Sequence, residues 1–201
     1  VVTNINKLKY IEKKEKLHSQ TSLKTLGSRF TQARVGLQRS GSHLSTNEIL
    51  KFNFDHAKAR YAVHCHWHFQ NIIQTLQKKG EQTLQFNTNA LSREQYLLNP
   101  PSGQILHDND HEKIKNLKTQ YDICIVVTDG LSAVAIDKNF IAFWNIFSSL
   151  LNKMQMTISP IIFIPFGRVT VADHVGELFK SKISIIFVGE RPGLSAADSM
   201  G

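Results

Sequence analysis

The chain has 201 residues with a hydrophobic fraction of 41%, enough for one domain with a real core or slightly more. No apolar run reaches the length a membrane-spanning helix needs, which excludes that class of protein. The formal net charge is +8, and residues 1–30 carry much of it, with seven Lys/Arg against two Glu. Such an arm suits an anionic partner or a solvated tail. No zinc finger or RNA-binding aromatic motif accompanies it, so nucleic acid is not expected as a partner. The N-terminus lacks the apolar stretch of a signal peptide, and the two cysteines, Cys65 and Cys124, suit a reducing cytosol with both thiols buried. The first residue is Val and the last stretch stops short, which reads as a fragment or a processed chain.

Three regions follow in order: a basic arm over 1–30, a helical region over 31–119, and a strand–loop–helix region over 120–201. The longest predicted helix runs from Thr46 to Lys79. Ser45 and Glu48 match a capping box, and Gly80 stands where a C-terminal cap belongs. Leu50, Phe54, Ala57, Tyr61, Cys65, His68, Ile72 and Leu76 recur every three or four residues and so share a face. "SREQYLLNPP" (92–101) predicts a short helix stopped by Pro100–Pro101. Another helix is predicted over about 108–119, capped by Asp108 or Asn109.

After residue 120 the pattern changes. Ile123–Val127 is a continuous apolar run, as in a strand buried on both faces. Asp129–Gly130 turns the chain toward a helix over about 131–154. A strand at 161–165 and a helix at 173–181 repeat the plan. "ISIIFVGERPGLSAAD" repeats it again, with small residues suited to a helix start. The fold class is therefore α/β: an N-terminal helical region followed by a Rossmann-like parallel sheet with right-handed crossovers. In such a sheet ligands bind beyond the carboxyl ends of the strands. Three loops converge there: "TDGLS" (128–132), "FGRVTV" (166–171) and "GERPGLS" (189–195).

Several motifs invite chemistry without supplying it. In "HCHWH" (64–68), His64 and His68 share a helical face, but a metal site needs further ligands and the sequence offers none beside them. The Gly-x-Gly-x-x-Gly fingerprint of dinucleotide sites and the Walker A motif are both absent. Glu190 and Arg191 follow Gly189 at a strand exit. Ligand contact and loop structure suit Glu190 equally well on these grounds.

The same segments carry a resemblance. "VVTDGLSAVAI", "FGRVTVADHVGEL" and "VGERPGLSAADSMG", together with residues 31–64 and "SREQYLLNP", resemble the small subunit of ethanolamine ammonia-lyase over about residues 25–201. The chain corresponds to roughly the first two-thirds of that subunit. Tyr61 and His174 depart from the family pattern, each standing where an acidic residue is usual. The resemblance implies an adenosylcobalamin-dependent ammonia-lyase that converts ethanolamine to acetaldehyde and ammonia. It implies a large-subunit partner that holds the substrate. It also implies a bacterial cytoplasmic location, with a microcompartment as one destination for the basic arm. Val169 and Glu190 match family positions that contact the cobalamin. Asp129, Arg168 and Arg191 would line the same edge. No catalytic or metal-ligating residue is implied in this chain. "ADHVGE" (172–177) lacks the spacing of the Asp-x-His-x-x-Gly motif, so His174 is not expected to ligate cobalt. The alternative reading is a Rossmann-like nucleotide- or NAD-binding domain.

Overall fold

A computed structural model describes residues 26–31, 33–117 and 119–201. The basic arm expected over 1–30 lies, up to residue 25, outside the described residues. Two compact units divide the chain, residues 1–55 and 56–201.

In the first unit a short antiparallel hairpin pairs β1 (Arg39–Ser40) with β2 (His43–Leu44), with Gly41 in the left-handed region at its turn. Helix α1 (Thr46–His64) follows. Ser45 Oγ accepts the Glu48 N–H at 3.4 Å, the expected first half of a capping box. Arg34 pairs with Asp55 at 2.7 Å, and its guanidinium lies 5.2 Å from the Phe52 ring centroid.

The single helix expected over 46–79 is two helices. It breaks at Cys65–Trp67, and α2 (Phe69–Gln77) restarts after His68. The periodicity was continuous, but burial was not uniform along it. Leu50, Phe54 and Tyr61 are exposed, whereas Ile72 and Leu76 are buried. The break lets Trp67 sink into the core against Phe69 and Phe163, with ring centroids 5.0 and 6.1 Å away. Trp67 burial favours that geometry over about one more turn of regular helix.

Four parallel strands form the sheet of the second unit: β3 (Thr83–Gln85), β4 (Ile123–Thr128), β5 (Ile158–Phe163) and β6 (Ile183–Val188). Their order is β3-β5-β4-β6. The parallel α/β class is as expected. Strand β3 was not, because three residues of mixed polarity carry no period of their own. Along β4, Ile123, Ile125 and Val127 face one cluster with Trp67, Leu76, Phe140 and Trp144. Cys124 and Val126 face the other, with Leu106, Ile114, Val175 and Phe179. This alternation is the two-residue period of a strand covered on both faces. Helix α5 (Ala133–Lys153), capped by the Ser132 hydroxyl, covers the first face with α2. Helices α4 (Asp108–Lys115) and α6 (Val171–Leu178) cover the second.

Helix α3 (Arg93–Leu98) matches "SREQYLLNPP", with the Ser92 hydroxyl accepting the Gln95 N–H. Its prolines open a 3-10 turn, Pro100–Gly103. Helix α4 is capped not by Asp108 or Asn109 but by His107, whose Nδ1 accepts the Asn109 N–H. The helix expected after β6 does not form among the described residues. Instead Gly201 exchanges backbone hydrogen bonds with Val188, and Met200 bridges Gly189 in antiparallel sense.

Pro160 lies inside β5, a strand flanked on both sides, where its missing N–H should disrupt the ladder. A register shift between Ile123 and Ile125 absorbs it, and the buried Ser159 hydroxyl accepts the Ile125 N–H at 3.1 Å. Replacing Ser159 by Ala should destabilise the protein by roughly 1–3 kcal/mol, because it orphans a buried N–H. The midpoint of urea unfolding checks this, and an unchanged midpoint would show that Ile125 finds another acceptor.

Candidate functional site

The turn after β4 is the hub of the sheet's carboxyl edge. Thr128 Oγ1 accepts the Gly167 N–H at 2.9 Å, and one Asp129 carboxylate oxygen accepts the Phe166 N–H at 2.8 Å. On the other side, the Leu131 N–H donates to Gly189 O at 2.8 Å, and the Ser132 hydroxyl donates to Ala197 O. The three loops read from the sequence therefore meet, with the 128–132 turn bonded to both of the others. Gly130 is in the left-handed region, and a Cβ on it would lie 2.4 Å from Gly189 O. A Cβ on Gly189 would lie 2.1 Å from Ser132 O. Only glycine fits at either point of this contact.

Asp129 is held from below by a residue the sequence did not single out. Arg93, the first residue of α3, places Nη1 3.0 Å from the second Asp129 carboxylate oxygen and 2.7 Å from Gly130 O. Its Nε donates to Val63 O at 2.5 Å. The side chains are 13% and 3% exposed, so the ion pair is close to fully buried. Burial pushes the Asp129 carboxyl up to about 6, although Arg93 and the Phe166 N–H favour its charged form. Tyr96, one turn along α3, lies between two guanidinium groups, with Arg93 5.1 Å and Arg168 4.1 Å from its ring centroid. Burial lifts its phenol to about 12, and the hydroxyl donates to Gly167 O. Arg168 also donates from Nη2 to Tyr96 O at 2.8 Å and from its backbone N–H to Gly103 O at 2.7 Å. Arg168 thus braces its own loop; it is not an open anion site.

Val169 follows directly and is 59% exposed. Glu190 is exposed as well, and its backbone N–H donates to Ser199 O at 2.9 Å. Their loops leave β5 and β6, the two neighbours of β4, at the same end of the sheet. Arg191 is exposed beside Glu190. A cleft of about 420 Å³ opens at this edge, lined by His64, Cys65, Trp67, Arg93, Asp129 and Phe166 among others. The first four residues of "HCHWH" thus form a wall of this cleft, with Cys65 only half-buried. Burial raises the Cys65 thiol above its ordinary value. Among the described residues no group of His, Cys, Asp or Glu could hold a metal ion. His174 accepts the Leu106 N–H on Nδ1 and sits in the first turn of α6, directly after the 166–171 loop.

Residues 21–201 match the family model described as ethanolamine ammonia-lyase light chain (EutC). The chain belongs to the ethanolamine ammonia-lyase light-chain family. It is 37% identical over 177 residues to the ethanolamine ammonia-lyase small subunit of Pseudomonas syringae pv. tomato, covering 86% of this chain and 62% of that protein. The small subunit of Pseudomonas putida strain GB-1 is 38% identical over 176 residues, covering 86% and 64%. That of Pseudomonas aeruginosa PAO1 is 37% identical over 175 residues, covering 85% and 64%. The chain thus spans a little under two thirds of the length of these family members. The matched span includes the loops with Val169 and Glu190, the Asp129 turn and α3 with Arg93. None of the described helices is long and apolar enough to cross a membrane.

Two predictions follow from the Arg93–Asp129 pair. Arg93→Ala leaves a carboxylate buried and unpaired and should cost roughly 3–5 kcal/mol in chemical denaturation. A loss below about 1 kcal/mol would mean that Asp129 is held without it. Because the folded Asp129 pKa lies above its ordinary value, its contribution to stability is present below about pH 4 and is lost as pH rises through about 6. Wild type should therefore lose stability relative to Asp129→Asn over that window. Parallel urea midpoints for the two proteins would show no such window if Asp129 titrated normally.

Proposed function

We propose that this chain is the cofactor-binding part of the small subunit of an adenosylcobalamin-dependent ethanolamine ammonia-lyase. It would bind the corrinoid on the carboxyl edge of a Rossmann-like sheet, against a large subunit that holds the substrate. Family membership supports the reading, and one observation carries it: Val169 and Glu190 are both exposed, on loops at one end of a parallel sheet, tied through the same turn.

The residues suit such a group. Val169 offers an apolar surface for packing against a corrin rim, and Glu190 an exposed carboxylate that accepts hydrogen bonds from peripheral amides. When bound, adenosylcobalamin supplies the radical chemistry by which ethanolamine becomes acetaldehyde and ammonia. The protein's part here is to bind and orient. Arg93, Asp129, Tyr96 and Arg168 hold the Val169 loop and the 128–132 turn, and the Glu190 loop is bonded to that turn at Gly189 O, which lowers the ordering cost of binding. No residue of this chain is assigned as acid, base or nucleophile. In this reading the protein works in the bacterial cytoplasm, or in a microcompartment within it.

Glu190→Ala in the subunit assembled with its large partner should weaken adenosylcobalamin binding by about tenfold or more, the worth of a charge-assisted hydrogen bond. Assembly, followed by size-exclusion chromatography, should be unchanged. Unaltered affinity would remove Glu190 from the site. Equal binding of NAD in place of the corrinoid would overturn the reading itself.

A further inference from the structure

Three imidazoles outside the carboxyl-edge loops sit around α4. His107 precedes the helix, and its Nδ1 accepts the Asn109 N–H at 3.2 Å as the N-cap. His174 of α6 accepts the Leu106 N–H on Nδ1 at 3.1 Å. Nε2 of His174 lies 2.8 Å from Nε2 of His111 on α4, with ring centroids 4.8 Å apart. The protons can be placed from these partners. Neutral His174 must carry its proton on Nε2, because Nδ1 is an acceptor. It then donates to His111 Nε2, and neutral His111 carries its proton on Nδ1. Each of the three rings therefore acts as an acceptor. A metal ion shared by the two Nε2 atoms is ruled out by the same bonds: it would move the His174 proton onto Nδ1, against the Leu106 N–H.

We propose that His107, His111 and His174 form an acid-sensitive latch, which ties the segment from Leu106 to His111 onto α6 when neutral and releases it when protonated. Protonated His111 would set two N–H groups face to face across 2.8 Å. Protonated His174 would do the same toward Leu106. Protonated His107 would lose its capping role and place positive charge at a helix N-terminus. All three changes act in one direction. Burial and neighbouring His111 hold His174 below the ordinary imidazole value, while Glu177 on its own helix opposes them. The latch is thus complete above that value and weakens as pH falls below it. Asp110 on α4 does not compensate. It is engaged with the Asn87 N–H at 2.7 Å and with Lys113, and these partners lower its pKa against the cost of burial. The latch adjoins the loop of Arg168 and Val169 through the His174 N–H, which donates to Thr170 O at 3.3 Å. The inference stands on contacts within this chain and does not depend on the corrinoid reading.

Hydrogen exchange of the full chain at pH 7.5 and 5.5, corrected for intrinsic rates, tests it. Protection of the Leu106 amide should fall at least tenfold at the lower pH. The variant His174→Gln puts an amide oxygen, an acceptor at both pH values, where His174 Nδ1 receives the Leu106 N–H. It should keep most of that protection. Equal wild-type protection at both pH values, or equal opening of wild type and variant, would overturn the latch. Should the variant fail to fold, nitrogen NMR of wild-type His174 decides. A proton on Nε2 at pH 7.5 supports the latch, and a proton on Nδ1 overturns it.

Discussion

A carboxylate moved almost wholly out of water must be compensated locally, and here the compensation organises the sheet's carboxyl edge. Asp129 gains a backbone N–H from the loop after β5 and a guanidinium from α3. The same guanidinium reaches Gly130 O and, from its other edge, Val63 O. Removing a partner leaves a charge with nowhere to go, so these segments hold their positions together. The order of the edge is thus a consequence of desolvation: a more exposed carboxylate would tolerate many arrangements, and this one tolerates few.

Tyr96 extends the arrangement across the strand ends. Its ring faces Arg93 and Arg168 at once, and its hydroxyl reaches the backbone of the β5 loop. An aromatic face accepts a cation without the directional demand of a carboxylate, so two arginines share one scaffold at α3. Val169, exposed beyond them, is held by groups that are themselves largely buried. Function on such an edge would depend on residues well behind the contacts themselves.

Much of the fold was legible because burial wrote itself into local pattern. The apolar run Ile123–Val127 marks a strand covered on both faces, and Ser92 with Pro100–Pro101 brackets α3. The failures have physical causes. A single helix over 46–79 was expected because spacing reports which residues share a face, not whether that face is covered. Trp67, buried at the break, outweighs the period. Strand β3 borrows its order from β5 and has no pattern of its own. At the carboxyl edge Asp129 was visible as a rim residue, but Arg93 was not, since its carboxylate lies 36 positions further along the chain. The "SREQYLLNP" resemblance was the signal that could have drawn attention to it. Val169 came from resemblance alone, since an exposed valine carries no chemistry of its own in a sequence, whereas Glu190 was visible at a strand exit but equally suited to ligand contact and to loop structure.

The backbone contact between Gly130 and Gly189 has a geometric corollary. Where the strand order reverses, beside β4, parallel sheets commonly leave a slot into which part of a ligand can slide. Here two peptide chains already fill it, close enough that a single added methyl would collide. A ligand on this face could not wedge between β4 and β6 at that point, and would have to lie across the rim there.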